Sequence, residues 1–318
     1  MALPKSKTLT NARFRKICIL SDADGGPSLG AFNSGIELVQ TKYSGTYCVC
    51  KKFKADDVAR GYAAREIDIL RRLSGPDNIN AFVDYYLKPA TREAAVFSRF
   101  CDCGNLWYLI KRYKHDNRSF PESFVWHVFI SLVNAIAHMH HGGGGNTNWN
   151  WVIHRDLWPA NVFLGKLDPD VYPRVVLGDF GSSITRDETR NRHQIELRNQ
   201  DNFAPLPHDQ FHVDGRNDVF QIGLIIVAMC KLTQHPKEHD STFTKSPAGS
   251  TYSLRLNELL SMCLTVNMLN RINTMSLKRL LDRERRRVTQ DNNRRLYLKL
   301  GYVDVRGLFD WRNLVFLE

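Results

Sequence analysis

Two acids and an amide near the middle of the chain have the types and spacing needed for metal-assisted phosphoryl transfer. Asp156 and Asn161 stand five positions apart, and Asp179 follows the apolar run 175–177. A carboxylate such as that of Asp156 can accept the proton of an attacking hydroxyl, and the amide oxygen of Asn161 can bind magnesium. We expect Asp179 to be a second metal ligand, because magnesium prefers oxygen and keeps phosphate and water in the rest of its shell.

The motifs around these residues resemble those of one family. His154-Arg155-Asp156, Asn161 and Asp179-Phe180-Gly181 occur in that order along the chain. Together they resemble the catalytic loop and the metal-binding motif of the eukaryotic protein kinases. Within that family, the sequence is most similar to the NIMA-related Ser/Thr kinases and to kinase-like proteins of fungi.

The resemblance covers roughly residues 12–285 and implies an α+β fold with two lobes, a small β-rich N-lobe and a larger helical C-lobe. It implies transfer of the γ-phosphoryl group to Ser or Thr of a protein substrate, with ATP and Mg2+ as cofactors. The expected segments are a leader (1–12), the N-lobe (13–100), the C-lobe (101–285) and a basic C-terminal tail (286–318).

The same resemblance assigns three catalytic residues. Asp156 is the proton acceptor, Lys51 contacts the α- and β-phosphates, and Glu66 pairs with Lys51. Lys51 ends the stretch Cys48-Val49-Cys50-Lys51, which matches a kinase strand, while Lys52 is expected to point to the opposite face. The plainer alternatives are a solvated strand lysine at position 51 and a surface charge at position 66.

The resemblance also implies an ATP-binding set. The segment 30–36 lines up with a glycine-rich phosphate loop, but Phe32 replaces its middle glycine, which should weaken the cover over the phosphates. The segment 99–106 lines up with the hinge between the lobes. The predicted ATP-binding residues are Gly30, Gly35, Ile36, Val49, Lys51, Ser98, Cys101 and Phe163, and the predicted metal ligands are Asn161 and Asp179.

Periodicity predicts the elements that must position these residues. Alternating apolar stretches on either side of Tyr43-Ser44-Gly45 predict a hairpin, and a helical pattern follows over 56–73. Asp218 matches the start of a buried helix, where its carboxylate would hold the catalytic loop through the loop's backbone. The further predicted elements are strands at 81–87 and 94–100 and an amphipathic helix at 121–140.

Composition bounds the class of protein. The 318 residues are 43% apolar, which is enough for a normal core, and the longest apolar run, 222–230, is too short to span a membrane. The seven cysteines form no C-x-x-C pair, so we expect free and mostly buried thiols. The N-terminus has no secretory apolar segment. We therefore expect a soluble intracellular protein, cytoplasmic or nuclear, without a membrane partner.

Positive charge is concentrated at the C-terminal end. The net charge of the chain is +11, and residues 271–318 hold twelve Lys/Arg against six Asp/Glu, a net charge of +6. Such a segment can bind an acidic partner, although the plainer interpretation is a solvated helix face. Few aromatic residues lie within the basic run, which disfavours a nucleic-acid platform.

Three departures from the kinase pattern argue against efficient transfer. Trp158 occupies the position of a lysine that neutralises the moving phosphate, and losing such a donor costs roughly 10² to 10³ in rate. Asn199 replaces a bracing threonine, and Leu206 replaces the acidic partner of Arg271. The alternative function is therefore a pseudokinase, an ATP-binding scaffold with little or no turnover. A small-molecule kinase of related fold is disfavoured because both motifs are intact.

Two further expectations concern charge. Arg271 should have found another acceptor, and Asp209 and Asp214 are the nearest acids after Leu206. Arg155 could pair with a phosphate on the segment that follows Asp179. The candidate phosphosites are Ser182, Ser183, Thr185 and Thr189.

Overall fold

The computed structural model describes residues 13–22, 33–143, 148–165, 172–190, 214–233, 236 and 246–291. Contacts separate a first unit, which ends at Asp102, from a second unit, which begins at Cys103. Within these residues, none of the helices combines the length and the apolar character needed to cross a membrane.

The first unit is built on an antiparallel sheet in the spatial order β1-β2-β3-β5-β4. The predicted hairpin and the two later strands are confirmed. The first strand escapes sequence prediction because two register shifts against its neighbour interrupt the alternation of buried and exposed residues. The strands are β1 (Phe14–Asp22), β2 (Asn33–Thr41), β3 (Tyr47–Phe53), β4 (Phe82–Lys88) and β5 (Glu93–Arg99).

The β3 strand turns its two cysteines into the core of the sheet. Cys48 and Cys50 alternate with more exposed neighbours and pack with Phe14 and Phe97. Burial raises the pKa of the Cys50 thiol to about 12, so this thiol stays protonated and unreactive at neutral pH. All seven cysteines are free thiols, as predicted.

Two helices of the first unit replace the single helix predicted over 56–73. The prediction of one continuous helix is wrong, because Gly61 takes a left-handed conformation with φ of 80° and separates α1 (Ala55–Ala59) from α2 (Tyr62–Leu73). The α2 helix buries Ile67, Leu70 and Leu73 against the sheet side of the unit, and Glu66 is buried with them.

The second unit is mainly helical, which confirms the predicted α+β class. The helix at 122–141 packs against the helices at 216–231 and 274–291, and its predicted apolar side is almost fully buried. The helices are α3 (Leu106–His115), α4 (Glu122–His141), α5 (Arg186–Arg190), α6 (Arg216–Lys231), α7 (Leu254–Cys263) and α8 (Thr274–Asp291). The short strands are β6 (Val152–Ile153), β7 (Val162–Gly165), β8 (Arg174–Leu177) and β9 (Ile184–Thr185).

Candidate active site

A buried carboxylate at the start of α6 holds the loop that carries Asp156. Asp218 is fully buried and accepts the backbone N–H of His154 at 2.9 Å and that of Arg155 at 3.0 Å. Burial is the largest single effect and would raise the pKa of Asp218, but the hydrogen bonds and charges of His140, His154 and the Arg155 backbone together outweigh it, and the pKa is lowered. Asp218 is therefore ionised at neutral pH, and the prediction that it binds the loop backbone is confirmed.

A second side chain of the same helix completes this support. Gln221 accepts the N–H of Leu157 at 3.0 Å and donates to the carbonyl of Arg155 at 3.0 Å. It lies one turn after Asp218, on the same face of α6. Sequence reasoning missed Gln221, although a polar residue three positions after Asp218 in an otherwise apolar helix was the signal that could have found it.

Asp156 and Asn161 are joined directly by hydrogen bonds. The Nδ2 of Asn161 donates to the backbone carbonyl of Asp156 at 2.8 Å and to its carboxylate at 3.2 Å. The backbone carbonyl of Asn161 in turn accepts the N–H of Gly178 at 3.0 Å. Asn161 therefore links the loop of Asp156 to the end of β8, and its Oδ1 keeps its acceptor capacity.

The β7–β8 hairpin brings Asp179 to this link. Val162 pairs with Leu177 in its register, so Asn161 and Gly178 lie side by side just beyond the paired residues. Asp179 has a φ of 60°, a left-handed conformation that is uncommon outside glycine and marks a residue held by its surroundings. The ring of Phe180 packs against that of His154, with centroids 5.3 Å apart, and this contact ties the two motifs together.

The donor set fits magnesium. Asn161 offers an amide oxygen and Asp179 a carboxylate, which are the hard oxygen ligands that magnesium takes alongside phosphate and water. No cluster of three His, Cys, Asp or Glu in the described ranges could hold a metal ion. Two oxygen donors leave positions in the coordination shell of magnesium for phosphate and water.

In the first unit, Lys51 and Glu66 form an ion pair. Their side chains approach to 2.7 Å and are 14% and 8% exposed, so water screens the pair only weakly. The Nζ of the neighbouring Lys52 lies 2.8 Å from the carboxylate of Glu37 instead. The Lys52 side chain is 41% exposed. The pair shows that β3 and α2 place an ammonium group and a carboxylate together, as the kinase resemblance implies.

Most of the chain matches the model of one protein family. A model described as "Protein kinase domain" matches residues 29–281. This chain belongs to the protein kinase family. The predicted family resemblance is confirmed.

Curated relatives of this kinase chain include NIMA-related proteins. It is similar to "G2-specific protein kinase fin1" of Schizosaccharomyces pombe, at 32% identity over 188 residues, 56% of this chain and 25% of the relative. It is also similar to "Probable serine/threonine-protein kinase nek2" of Dictyostelium discoideum, at 23% over 271 residues, 78% of this chain and 60% of the relative. It is similar as well to "G2-specific protein kinase nimA" of Emericella nidulans, at 25% identity over 291 residues, which cover 78% of this chain and 39% of the relative. The chain thus spans less than two thirds of each relative.

Five of the residues predicted to bind nucleotide lie on adjacent strands of the kinase chain's first unit. Gly35 and Ile36 are on β2, Val49 and Lys51 are on β3, and Ser98 is on β5. Ile36 stands opposite Lys51, and Val49 stands opposite Ser98. The strand register therefore collects them in one region of the sheet.

The remaining predicted nucleotide-binding residues are placed separately. Cys101 is buried near the end of the first unit. Phe163 is on β7 of the second unit, where it forms a backbone bridge with Asn105. Gly30 and Phe32, the residues of the degenerate phosphate loop, lie outside the described residues.

Trp158 is packed into an aromatic cluster of the second unit. It is 9% exposed and meets Trp107 of α3 edge to face, with ring centroids 5.4 Å apart. Ala160 and Tyr108 pack with the two indoles, and the Nζ of Lys111 lies 5.6 Å from the centre of the Trp107 ring. The position that carries a phosphate-binding lysine in Ser/Thr kinases is therefore an apolar contact between the catalytic loop and α3.

Three of the four candidate phosphosites are buried. Ser182, Ser183 and Thr185 are at most 7% exposed, and Thr185 caps α5 in a reciprocal pair with Glu188, whose carboxylate accepts the Thr185 N–H at 2.7 Å. Thr189 is partly exposed, and its hydroxyl donates to the carbonyl of Arg186. Thr189 is thus the most accessible of the four. Asn199 and Leu206 lie outside the described residues.

Arg271 has found acceptors, as expected for a buried guanidinium. It is 3% exposed and packs over the ring of Phe220, 4.5 Å from the ring centre. Burial lowers the pKa of Arg271 to about 10, which still leaves it charged at neutral pH. Its nitrogens donate to three backbone carbonyls, those of Thr265 at 2.8 Å, Arg216 at 3.0 Å and Val266 at 3.1 Å.

The acceptors of Arg271 are carbonyls rather than the nearby acids that the sequence suggests. The carboxylate of Asp214 binds Arg216 at 2.6 Å instead, and Asp209 lies outside the described residues. Backbone carbonyls carry no sequence signature, so this choice of acceptor could not be predicted.

Arg271→Ala is expected to lower the free energy of unfolding by about 3–5 kcal/mol, because three backbone carbonyls would lose charge-assisted hydrogen bonds and the buried packing on Phe220 would be lost. Chemical denaturation of the two proteins measures the difference. Arg279→Ala is the matched control, since Arg279 is exposed on α8. A loss at Arg271 no larger than that of the control would show that the three hydrogen bonds contribute little.

Proposed function

We propose that this chain is an ATP-dependent protein kinase that transfers the γ-phosphoryl group of ATP to Ser or Thr of a protein substrate. The observation that carries the proposal is the hydrogen-bonded pair of Asp156 and Asn161, in which the carbonyl of Asn161 also accepts the N–H of Gly178, the residue before Asp179. Relatives whose names describe Ser/Thr kinases support this assignment.

Each of these residues has a defined task in the proposed reaction. Bound ATP with Mg2+ supplies the phosphoryl group and the cation that neutralises its charge. Asp156 accepts the proton of the substrate hydroxyl, and the Nδ2 of Asn161 fixes the direction of that carboxylate. Asn161 and Asp179 would hold the cation with their amide and carboxylate oxygens. Asp218 and Gln221 keep the loop backbone in place.

Lys51 and Glu66 are residues of the first unit with a proposed role. The carboxylate of Glu66 holds the ammonium group of Lys51, so that Lys51 can meet phosphate oxygens without first being ordered. With these roles, segments 13–100 and 101–285 are proposed as the two kinase lobes, and Ser98 and Cys101 as parts of the adenine site.

The second candidate function is a pseudokinase that binds ATP as a scaffold. One observation favours it: the buried contact of Trp158 with Trp107 replaces a cation at the loop position beside Asp156. Such a protein would bind nucleotide through Lys51 and Asp179 but transfer no phosphate. The difference between the candidates therefore lies in turnover and not in nucleotide affinity.

A nucleotide-binding titration combined with a turnover assay separates the candidates. Magnesium-dependent ATP binding with phosphoryl transfer supports the kinase, and the same binding without transfer to itself or to an added protein supports the scaffold. Absence of ATP binding at millimolar nucleotide would contradict both.

The compartment and the partner of the tail belong to the same proposal. The seven free thiols favour a reducing intracellular location, cytoplasmic or nuclear. The tail 286–318 holds seven Lys/Arg against four Asp/Glu, a net charge of +3, which favours an acidic protein partner.

A further inference from the structure

His140, at the end of α4, connects three helices of the second unit through its two ring nitrogens. Its Nε2 lies 2.9 Å from a carboxylate oxygen of Asp218 on α6, and its Nδ1 lies 2.8 Å from the hydroxyl of Thr274 at the start of α8. All three side chains are buried, with exposures of 9%, 0% and 3%. The series of hydrogen bonds from Thr274 through His140 to Asp218 is thus continuous and shielded from water.

A glycine makes room for this connection. A Cβ atom on Gly215, just before α6, would lie 2.6 Å from the Nδ1 of His140, which is closer than real contacts allow. The imidazole therefore packs directly on the backbone at the start of α6. This contact places the ring within reach of Asp218 and prevents it from turning away.

The acceptor character of Asp218 sets the direction of both hydrogen bonds. An ionised carboxylate can only accept, so Nε2 of His140 carries the proton. The other ring nitrogen, Nδ1, lies within hydrogen-bond distance of the Thr274 hydroxyl, which can donate to it. Thr274 thereby supports the ring orientation in which Nε2 of His140 donates to Asp218.

The same Asp218 oxygen that receives this hydrogen bond also accepts the N–H of His154. The other oxygen accepts the N–H of Arg155, the residue before Asp156. Without the donation from His140, the carboxylate could rotate about its terminal bond and lose its alignment with the two loop amides. The orientation of the Asp218 carboxylate therefore determines the position of the two loop amides that bind to it.

Thr274 is not needed to cap its own helix. The Oδ1 of Asn273 accepts the N–H of Ser276 at 2.9 Å, which is the capping bond at the start of α8. The Thr274 hydroxyl is left for His140. Its position is explained by the connection to the catalytic loop rather than by local helix stability.

We propose that Thr274 is a positioning residue for phosphoryl transfer and acts through His140 and Asp218 on the backbone of the Asp156 loop. The functional part of this inference rests on the proposed kinase activity. The structural part concerns the order of the loop and stands without it.

Two variants of His140 separate its contact with Asp218 from its contact with Thr274. His140→Gln keeps a donor near the position of Nε2, towards Asp218, whereas His140→Asn keeps a polar group near the position of Nδ1, towards Thr274. Thr274→Val removes the hydroxyl while retaining the shape of the side chain. Thr265→Val is the matched control, because among the described residues the Thr265 hydroxyl bonds to the carbonyl of Ser261 in the preceding turn and not to the Asp156 loop.

The experiment measures amide hydrogen exchange of the His154–Asp156 segment, together with kcat and ATP affinity, in the full chain. For Thr274→Val and His140→Asn we expect exchange of this segment to become at least about tenfold faster, with exchange in α7 unchanged. The value of kcat should fall by about tenfold while ATP affinity stays within about twofold, since the loss falls on the transition state. In His140→Gln, both the slow exchange of the loop and the value of kcat should be close to those of wild type.

Unchanged loop exchange in Thr274→Val and His140→Asn would overturn the inference, as would equal exchange in His140→Gln and His140→Asn. Faster exchange throughout the unit would also overturn it, because that pattern shows a general loss of stability. If the wild-type chain transfers no phosphate, the proposed kinase activity fails, and the exchange data alone decide whether Thr274 positions the loop.

Discussion

Asp179→Asn is expected to weaken magnesium-dependent ATP binding by at least about tenfold, because the variant loses a charged oxygen ligand. The fold should survive. Asparagine has nearly the same shape as aspartate and tolerates the left-handed backbone found at this position, where φ is 60°. Titrating ATP with and without magnesium, in wild type and variant, measures the effect.

The control for this prediction is Asp187→Asn, a carboxylate eight positions later that is 62% exposed and lies 3.8 Å from Arg186. It removes the same charge from the same part of the sequence but not from the site. An equal magnesium effect in wild type, Asp187→Asn and Asp179→Asn would show that Asp179 is not a metal ligand.

Trp158→Lys is expected to raise kcat by about tenfold or more and to leave ATP affinity nearly unchanged. The added charge acts on the moving phosphoryl group, so its gain of about 1.4 kcal/mol belongs to the transition state. The structure adds a cost that the sequence did not show. Lysine would replace an indole packed on Trp107, in a cluster that already has the ammonium of Lys111 beside it, so the melting temperature should fall.

The control Trp158→Leu separates the two effects. Leucine removes the aromatic contact without adding a charge, so it should lower the melting temperature and leave kcat unchanged or reduced. A rise in kcat in both variants would mean that the indole itself obstructs the reaction. A lower melting temperature in Trp158→Lys with unchanged kcat would favour the scaffold over the kinase.

The residues proposed for the site could be selected from sequence because few residue types can perform this chemistry. Proton acceptance and magnesium binding require carboxylate and amide oxygens, so the order and spacing of Asp156, Asn161 and Asp179 are informative by themselves. The apolar side of α4 was equally predictable, since buried helices keep a fixed period. The break at Gly61 was missed because the apolar period continues across it.

Contacts between residues that are far apart in the sequence could not be predicted. Gln221 holds Leu157 from 64 positions away, and His140 meets Thr274 from 134 positions away. Neither pair has a local pattern, and each depends on which helices become neighbours. The partner of Trp158 was hidden for the same reason, since Trp107 lies on another element and an isolated tryptophan does not reveal what it packs against.

The central claim is that Asp156 lets this chain transfer phosphate from ATP, and intact-mass analysis after incubation with ATP and magnesium tests it most directly. Wild type and Asp156→Ala are compared, each with and without an added protein rich in Ser and Thr. The wild-type reaction should add phosphoryl mass to the chain or to the added protein, and Asp156→Ala should be slower by about 10² to 10⁴ because it lacks the proton acceptor. Equal phosphorylation by both proteins, or none by wild type while it binds ATP, would contradict the claim.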